Sequence, residues 1–139
     1  LAATKAAIEE GIVAGGGVAL VRSIASLDKL TGENEDQNTG IDIVRKAISE
    51  PLRMIANNAG VEGSVVVNKV MEGKKDFGYN ARTNVYEDLK KAGVIHSTQV
   101  TREALENAAS IASMLLTTEC VIATKEQNLT SPLDLNQLD

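Results

Sequence analysis

Large aromatic rings are almost missing from this sequence, which has one Phe, two Tyr and no Trp in 139 residues. A core must therefore be built from Ala, Val, Ile and Leu, side chains small enough to let helices pack closely. A length of 139 residues fits one domain. There is a single cysteine, Cys120, so no internal disulfide framework is available, which fits a reducing compartment. The single histidine, His96, and that lone thiol exclude a His/Cys metal cluster within the chain. Apolar runs such as Val65 to Val67 and Val121 to Ala123 fall far short of the ~20 residues that span a bilayer. Nor does a basic segment followed by an apolar stretch mark a signal peptide at Leu1. Positive charge is in the minority, 14 basic against 19 acidic residues for a net of -5, which argues against nucleic acid as a partner.

What is present is helical periodicity. Leu1 to Glu10, rich in Ala and lacking an evident N-cap, reads as the end of a helix already under way. Gly11 closes it as a left-handed C-cap. The triplet Gly15, Gly16, Gly17 follows, and the spacing of Val18, Val21, Ile24 and Leu27 predicts a helix over Val18 to Leu30. In the polar loop Thr31 to Asn38, Asn34 and Gln37 have capping-box spacing. They open a helix with Ile41, Val44, Ala47, Ile48 and Leu52 on one stripe, which Pro51 should kink or interrupt and Gly60 should end. Ser64 to Glu72 reads as a helix, although its three consecutive valines suit a buried strand as well.

The second half is expected to mix short strands with one long helix. Gly73 to Asp76 is a charged turn, Phe77 to Tyr79 a short strand, Val85 to Lys91 a short helix and Gly93 to Ile95 the strand that matches the first. Ser97 or Thr98 caps a helix in which Val100, Ala104, Leu105, Ala108, Ile111, Ala112 and Leu115 recur every three or four residues. Cys120 to Ala123 reads as a terminal strand and Thr124 to Asp139 as a loose tail. The fold class expected is mainly α: a multihelical domain with a small β-hairpin and a terminal strand.

Two segments suggest a ligand. A glycine turn feeding directly into a helix gives flexible backbone and helix N-terminal amides, both suited to polar or anionic groups. It is no Walker A motif, because no Gly-Lys-Ser/Thr follows, and taken by itself a tight turn or close helix packing is the better explanation. In Tyr79-Asn80-Ala81-Arg82-Thr83, Asn can hydrogen-bond a purine edge and Arg can meet phosphate or carboxylate. A strand-end turn accounts for the same residues. Neither His96 nor Cys120 has a visible catalytic partner, and the many carboxylates fall on polar faces or helix starts. No acid/base pair or nucleophile triad stands out.

The order and separation of several strings resemble the GroEL-type, group I chaperonins. They are Ala6-Ala7-Ile8-Glu9-Glu10-Gly11-Ile12-Val13-Ala14-Gly15-Gly16-Gly17, then Gly32-Glu33-Asn34-Glu35-Asp36-Gln37-Asn38, Glu50-Pro51-Leu52-Arg53, Phe77-Gly78-Tyr79-Asn80-Ala81, Val100-Thr101-Arg102 and Leu116-Thr117-Thr118-Glu119-Cys120. The resemblance runs from about Leu1 to Ala123. It implies that residues 1–10 end the hinge helix of the intermediate domain, that 11–123 are the carboxy-terminal half of the equatorial ATP-binding domain, and that 124–139 are a flexible tail. Residues Gln127 to Asp139 lack the Gly-Gly-Met repeat common in the family.

The resemblance also implies roles. Gly15 and Gly16 would lie near the sugar of a bound nucleotide, Asn80 and Ala81 would meet adenine with Arg82 next to them, and Val94 would be an apolar contact on the base. His96 stands where the family often has an Asp that bonds the ribose. Glu35, Arg53, Glu62 and Ser64 match positions used between rings. The cofactor implied is ATP or ADP with Mg2+, K+ being a candidate second ion. The hydrolytic and metal-binding groups would come from polypeptide upstream of Leu1, so this chain alone is expected to be inactive as an ATPase. Partners implied are identical subunits in seven-membered rings, a co-chaperonin and unfolded clients, with no nucleic acid and no membrane. The compartment implied is the bacterial cytoplasm or an organelle matrix. A reading from a different class is a stand-alone helical structural or interaction module whose glycine turn holds no ligand.

Overall fold

The computed structural model describes residues 2–123, which form five helices and four short strands. Helix α1 (Ala2–Glu10) ends as expected: Gly11 takes φ 82° and donates its N–H to Ala7 O at 3.0 Å. Strand β1 (Ile12–Ala14) leads to the glycine turn, and α2 (Val18–Leu27) buries Val18, Val21 and Ile24. This helix stops three residues before the expected Leu30, where Asp28 N–H closes onto Ile24 O.

Helix α3 (Glu35–Asn58) begins where the capping pattern places it. The Asn34 side chain accepts from Gln37 N at 2.9 Å, while Gln37 Oε1 reaches back to Glu33 N at 2.8 Å. Glu35 and Asp36 sit in the first turn, where negative charge complements the helix dipole. Pro51 does not interrupt this helix. An interior proline costs ~3 kcal/mol, and the burial of Ile48, Leu52 and Ala56 on one face carries the helix through it.

Helix α4 (Gly63–Glu72) resolves the valine ambiguity in favour of helix: Val66, Val67 and Val70 are buried at helical spacing while Val65 faces out. Its first residue lies hard against α3. A Cβ on Gly63 would come within 2.5 Å of Arg53 Cγ and 2.6 Å of Arg53 O, and Gly63 N donates to Asn57 Oδ1 at 2.9 Å.

Strand β2 (Phe77–Asn80) pairs antiparallel with β3 (Val85–Asp88), with Tyr79 opposite Tyr86. This corrects two expectations: Val85 to Lys91 is not a helix, and Gly93 to Ile95 is not the partner of Phe77 to Tyr79. Asn84, at φ 57°, turns the chain back, and Tyr86 packs on Phe77 and Tyr79 at centroid distances of 6.1 and 5.2 Å. The few aromatic rings thus gather in one cluster, which Lys69 of α4 covers with its Nζ 4.0 Å from the Tyr86 centroid. Strand β4 (Ile95–Ser97) pairs antiparallel with β1 instead, Val13 facing His96. Cys120 to Ala123, expected as a terminal strand, has no strand pairing among the described residues. The expected tail, 124–139, lies outside them.

The core joins α2, α3, α4 and the β2–β3 hairpin through Val18, Val21, Leu52, Val66, Val70, Tyr79 and Leu89. Helix α5 (Thr98–Leu116) matches the expected periodicity yet buries none of its residues. It rests on α1 and β4, with Arg102 bridging Glu10 at 2.9 Å, and leaves Val100, Leu105, Ile111, Met114 and Leu115 exposed. The apolar stripe read from the sequence is present, and among the described residues it is left largely uncovered.

Ser97 takes the N-cap position of α5 without making a side-chain cap, and its Oγ is buried with no hydrogen-bond partner. A buried hydroxyl without a partner costs ~1–3 kcal/mol. Ser97→Ala is therefore expected to raise the urea midpoint, by about 1 kcal/mol or less in stability because the hole left by the oxygen offsets part of the gain. A loss of stability in that variant would show that the hydroxyl is bonded after all.

Candidate functional site

The glycine turn is held by neighbours that leave no room for a side chain. Gly15 N donates to Val94 O at 2.9 Å, and a Cβ on Gly15 would lie 2.8 Å from His96 Cδ2 and 3.2 Å from Val94 Cγ1. Gly16 and Gly17 adopt φ 62° and 78°, the left-handed region that glycine enters without steric cost. A Cβ on Gly17 would meet the Leu52 backbone at 2.9 Å. The triplet therefore brings the start of α2 onto α3 on one side and onto the segment before β4 on the other. Part of its glycine content is explained by helix packing alone.

Across from the turn, the loop between β2 and β3 is pinned by Asn80. Its Oδ1 accepts from Arg82 N at 3.1 Å, its Nδ2 donates to Glu87 Oε1 at 2.8 Å, and Thr83 N returns to Asn80 O at 3.2 Å. Tyr79 OH donates to Asn84 Oδ1 at 2.5 Å. Asn80 is only 8% exposed, and one donor and one acceptor of its amide, half of the side chain's capacity, hold the loop. Arg82, by contrast, is exposed and has no carboxylate partner among the described residues.

These two features face a common cavity of about 440 Å³, whose lining includes Gly16, Asn80, Ala81, Arg82 and Val94. Ile55, Tyr79, Thr83, Ala92 and Gly93 complete it. A second cavity, of about 320 Å³, lies on the other side of the glycine turn and takes in Gly15, His96, Pro51, Val100 and Thr101. Gly16 and Ile55 line both, so the two open on either side of one ridge. Five of the seven expected ligand residues thus share one cavity, while Gly15 and His96 line its neighbour. Ile55 went unnoticed in the sequence because nothing but the packing of α3 on the turn marks it.

Chemically, the larger cavity offers apolar side chains from Ile55, Ala81 and Val94, polar ones from Asn80 and Thr83, and one cation, Arg82. This suits a planar heteroaromatic base with a polar edge. Among the described residues no group of three or more His, Cys, Asp or Glu is placed to hold a metal ion. No helix among them is long and apolar enough to cross a membrane.

Of the four residues expected between rings, three come together. Arg53 packs on Gly63, between Glu62 and Ser64, whereas Glu35 lies 18 positions earlier on the same helix as Arg53, roughly 27 Å away at 1.5 Å per residue. Glu62 caps α4, accepting from Ser64 N at 3.2 Å and Ser64 Oγ at 2.8 Å. The Ser64 hydroxyl bond, then the backbone bond, with a smaller contribution from Arg53, holds the Glu62 carboxyl below its usual 4.5. Because the folded pKa is depressed, this cap contributes above pH ~4.5 and is lost as the pH falls through the lower, folded value. A carboxyl-carbon NMR titration should place the Glu62 midpoint below 4.5, and Ser64→Ala should move it back up.

The family model for TCP-1/cpn60 chaperonins matches residues 1–126 of the 139. On that match over nearly its whole length, the chain belongs to the TCP-1/cpn60 chaperonin family.

Proposed function

We propose that this chain is part of a group I chaperonin that assists protein folding in an ATP-dependent ring chamber, and that its share of the work is to hold the base and ribose of the nucleotide. Membership of the family puts the function in the chaperone class and implies oligomeric assembly and contact with client proteins. Residues 1–10 would end the hinge helix, residues 11–123 would be the second half of the equatorial domain, and residues 124–139 a tail. In this reading seven such subunits form a ring, a co-chaperonin and unfolded clients engage other domains, and the compartment is the cytoplasm or an organelle matrix.

The observation that carries the reading is the convergence of Gly16, Asn80, Ala81, Arg82 and Val94 from three stretches of sequence on one cavity. Gly16 presents bare backbone to the cavity where the sugar would lie, and a Cβ there would meet the buried Leu89 Cδ1 at 3.0 Å. Asn80 fixes the loop whose Ala81 and Arg82 border the base. Val94 supplies an apolar face. His96 stands at the edge of the neighbouring cavity with its ring against Gly15, where either imidazole nitrogen can bond a ribose hydroxyl. ATP, once bound in the assembled ring, supplies the phosphoryl group whose transfer to water drives the conformational switch. Mg2+ and a second ion such as K+ would be held by residues supplied elsewhere in the subunit. In the same reading the apolar stripe of α5 packs against polypeptide outside residues 2–123. Arg53, Glu62 and Ser64 meet another ring, with Glu35 forming a separate contact.

ATPase assay of the purified chain tests the division of labour. Turnover no greater than background is expected, together with weak binding of adenine nucleotides. Adding the polypeptide that completes the domain should tighten that binding. Turnover by the chain alone, persisting through removal of contaminating ATPases, would contradict the proposal. A stable complex with no gain in affinity would favour a structural module.

A further inference from the structure

A third cavity, of about 390 Å³, borders the glycine turn through Ala14, Val18 and Ala19 and has a different chemistry. Its floor is apolar, formed by Ile12, Val13 and Ala14 of β1 with Val18 and Ala19 of α2. Its rim carries Arg22, Lys75 and Lys90 against a single carboxylate, Asp76. In a chain of net charge -5 this is a local surplus of cations. None of the three is within ion-pair distance of a carboxylate among the described residues, where every ion pair involves Lys5, Arg45, Arg53 or Arg102.

Arg22 is also held in place. Its Nε donates to Lys75 O at 2.9 Å and one Nη2 hydrogen to Phe77 O at 3.0 Å. Both Nη1 hydrogens and one on Nη2 are left over, the pair of donors that grips a carboxylate at two points. Partial burial lowers the pKa of this guanidinium, with Asp76 acting in the opposite direction from beyond ion-pair range. A guanidinium already fixed and partly stripped of water loses little further freedom or solvation on meeting an anion.

We propose that this cavity is a binding site for a small amphipathic carboxylate, its head held by Arg22, Lys75 and Lys90 and its aliphatic body lying on Ile12, Val13 and Val18. The site shares no lining residue with the cavity assigned to the base and only Ala14 and Ala19 with the His96 cavity; its cations line neither, and it stands whether or not those cavities take ATP. The floor sets the preference for an aliphatic body over a bare ion. The Arg22 fork sets the preference for a planar head.

The test is titration of the intact chain with hexanoate, hexanol, acetate and inorganic phosphate, followed by amide chemical shifts. Hexanoate should shift Val13, Val18, Arg22 and Lys75 saturably, and each of the other three probes should bind at least about tenfold more weakly, the cost of losing head or body. The double change Lys75→Gln and Lys90→Gln, both at exposed positions, should weaken hexanoate about tenfold while leaving the helical circular dichroism unchanged. Hexanol binding as tightly as hexanoate would overturn the proposal, since the cations would then be idle. So would phosphate binding as tightly, no saturable shift at those residues, or unchanged affinity in the folded double variant.

Discussion

Replacing Gly17 by alanine is expected to destabilise the chain by about 2–4 kcal/mol, the sum of a left-handed backbone penalty and overpacking. Gly17 sits at φ 78°, and the added Cβ would lie 2.9 Å from Leu52 N, Cα and Cβ. Backbone atoms of a long helix cannot rotate out of the way as a side-chain end can. Leu52 is fully buried within α3, so the clash can be relieved only by moving α3 off α2. Urea unfolding followed by circular dichroism measures the loss. A cost below about 1 kcal/mol would mean that the two helices are not in the contact described here. Gly15→Ala makes the comparison informative, because its obstruction is the edge of the His96 ring, which can swing aside. That variant should fold and alter the ridge between the two cavities.

Asn80→Ala is expected to cost about 2–3 kcal/mol and to abolish adenine-nucleotide binding, although half of the amide's bonds go to its own loop. The change strands Arg82 N–H and one oxygen of Glu87, each a group whose unmet bond costs ~1–3 kcal/mol when shielded from water. The loop carrying Ala81 and Arg82 then loses its anchor, and the base loses its edge. Asn80→Asp separates the two bonds: an aspartate still accepts from Arg82 N but sets a second negative charge against Glu87. It should be less stable at neutral pH than in mild acid, where one of the two carboxyls is protonated. Unfolding at the two pH values distinguishes this from a role of Asn80 in touching the base. A variant with native stability and lost nucleotide binding would assign Asn80 direct contact instead.

The helices were legible because their signals are local. Val18, Val21 and Ile24 in α2, and Ile48, Leu52 and Ala56 in α3, repeat with the helical period, and Asn34 with Gln37 marks a start that the hydrogen bonds reproduce. Pairing of strands was not legible, since it depends on partners distant in sequence. Nothing near Ile95 states that it will lie beside Ala14 and not beside Phe77. Val85 to Lys91 misled because a short stretch with Tyr, Leu and charges of both signs suits either period, and the aromatic contacts of Tyr86 decided it. Pro51 misled because local cost was outweighed by burial on both sides of it. The glycine triplet and the Asn80 segment were visible as motifs. That they border a single cavity, that Ile55 joins them and that Asn80 is a clamp on its own loop emerge only from the packing.

Amide chemical-shift mapping with adenosine diphosphate on the isotope-labelled chain examines the proposed nucleotide cleft directly. The account predicts saturable shifts at Gly16, Ala81, Arg82 and Val94, with Lys75 and Lys90 unmoved. Shifts scattered over other surfaces, or none at those residues, would contradict it.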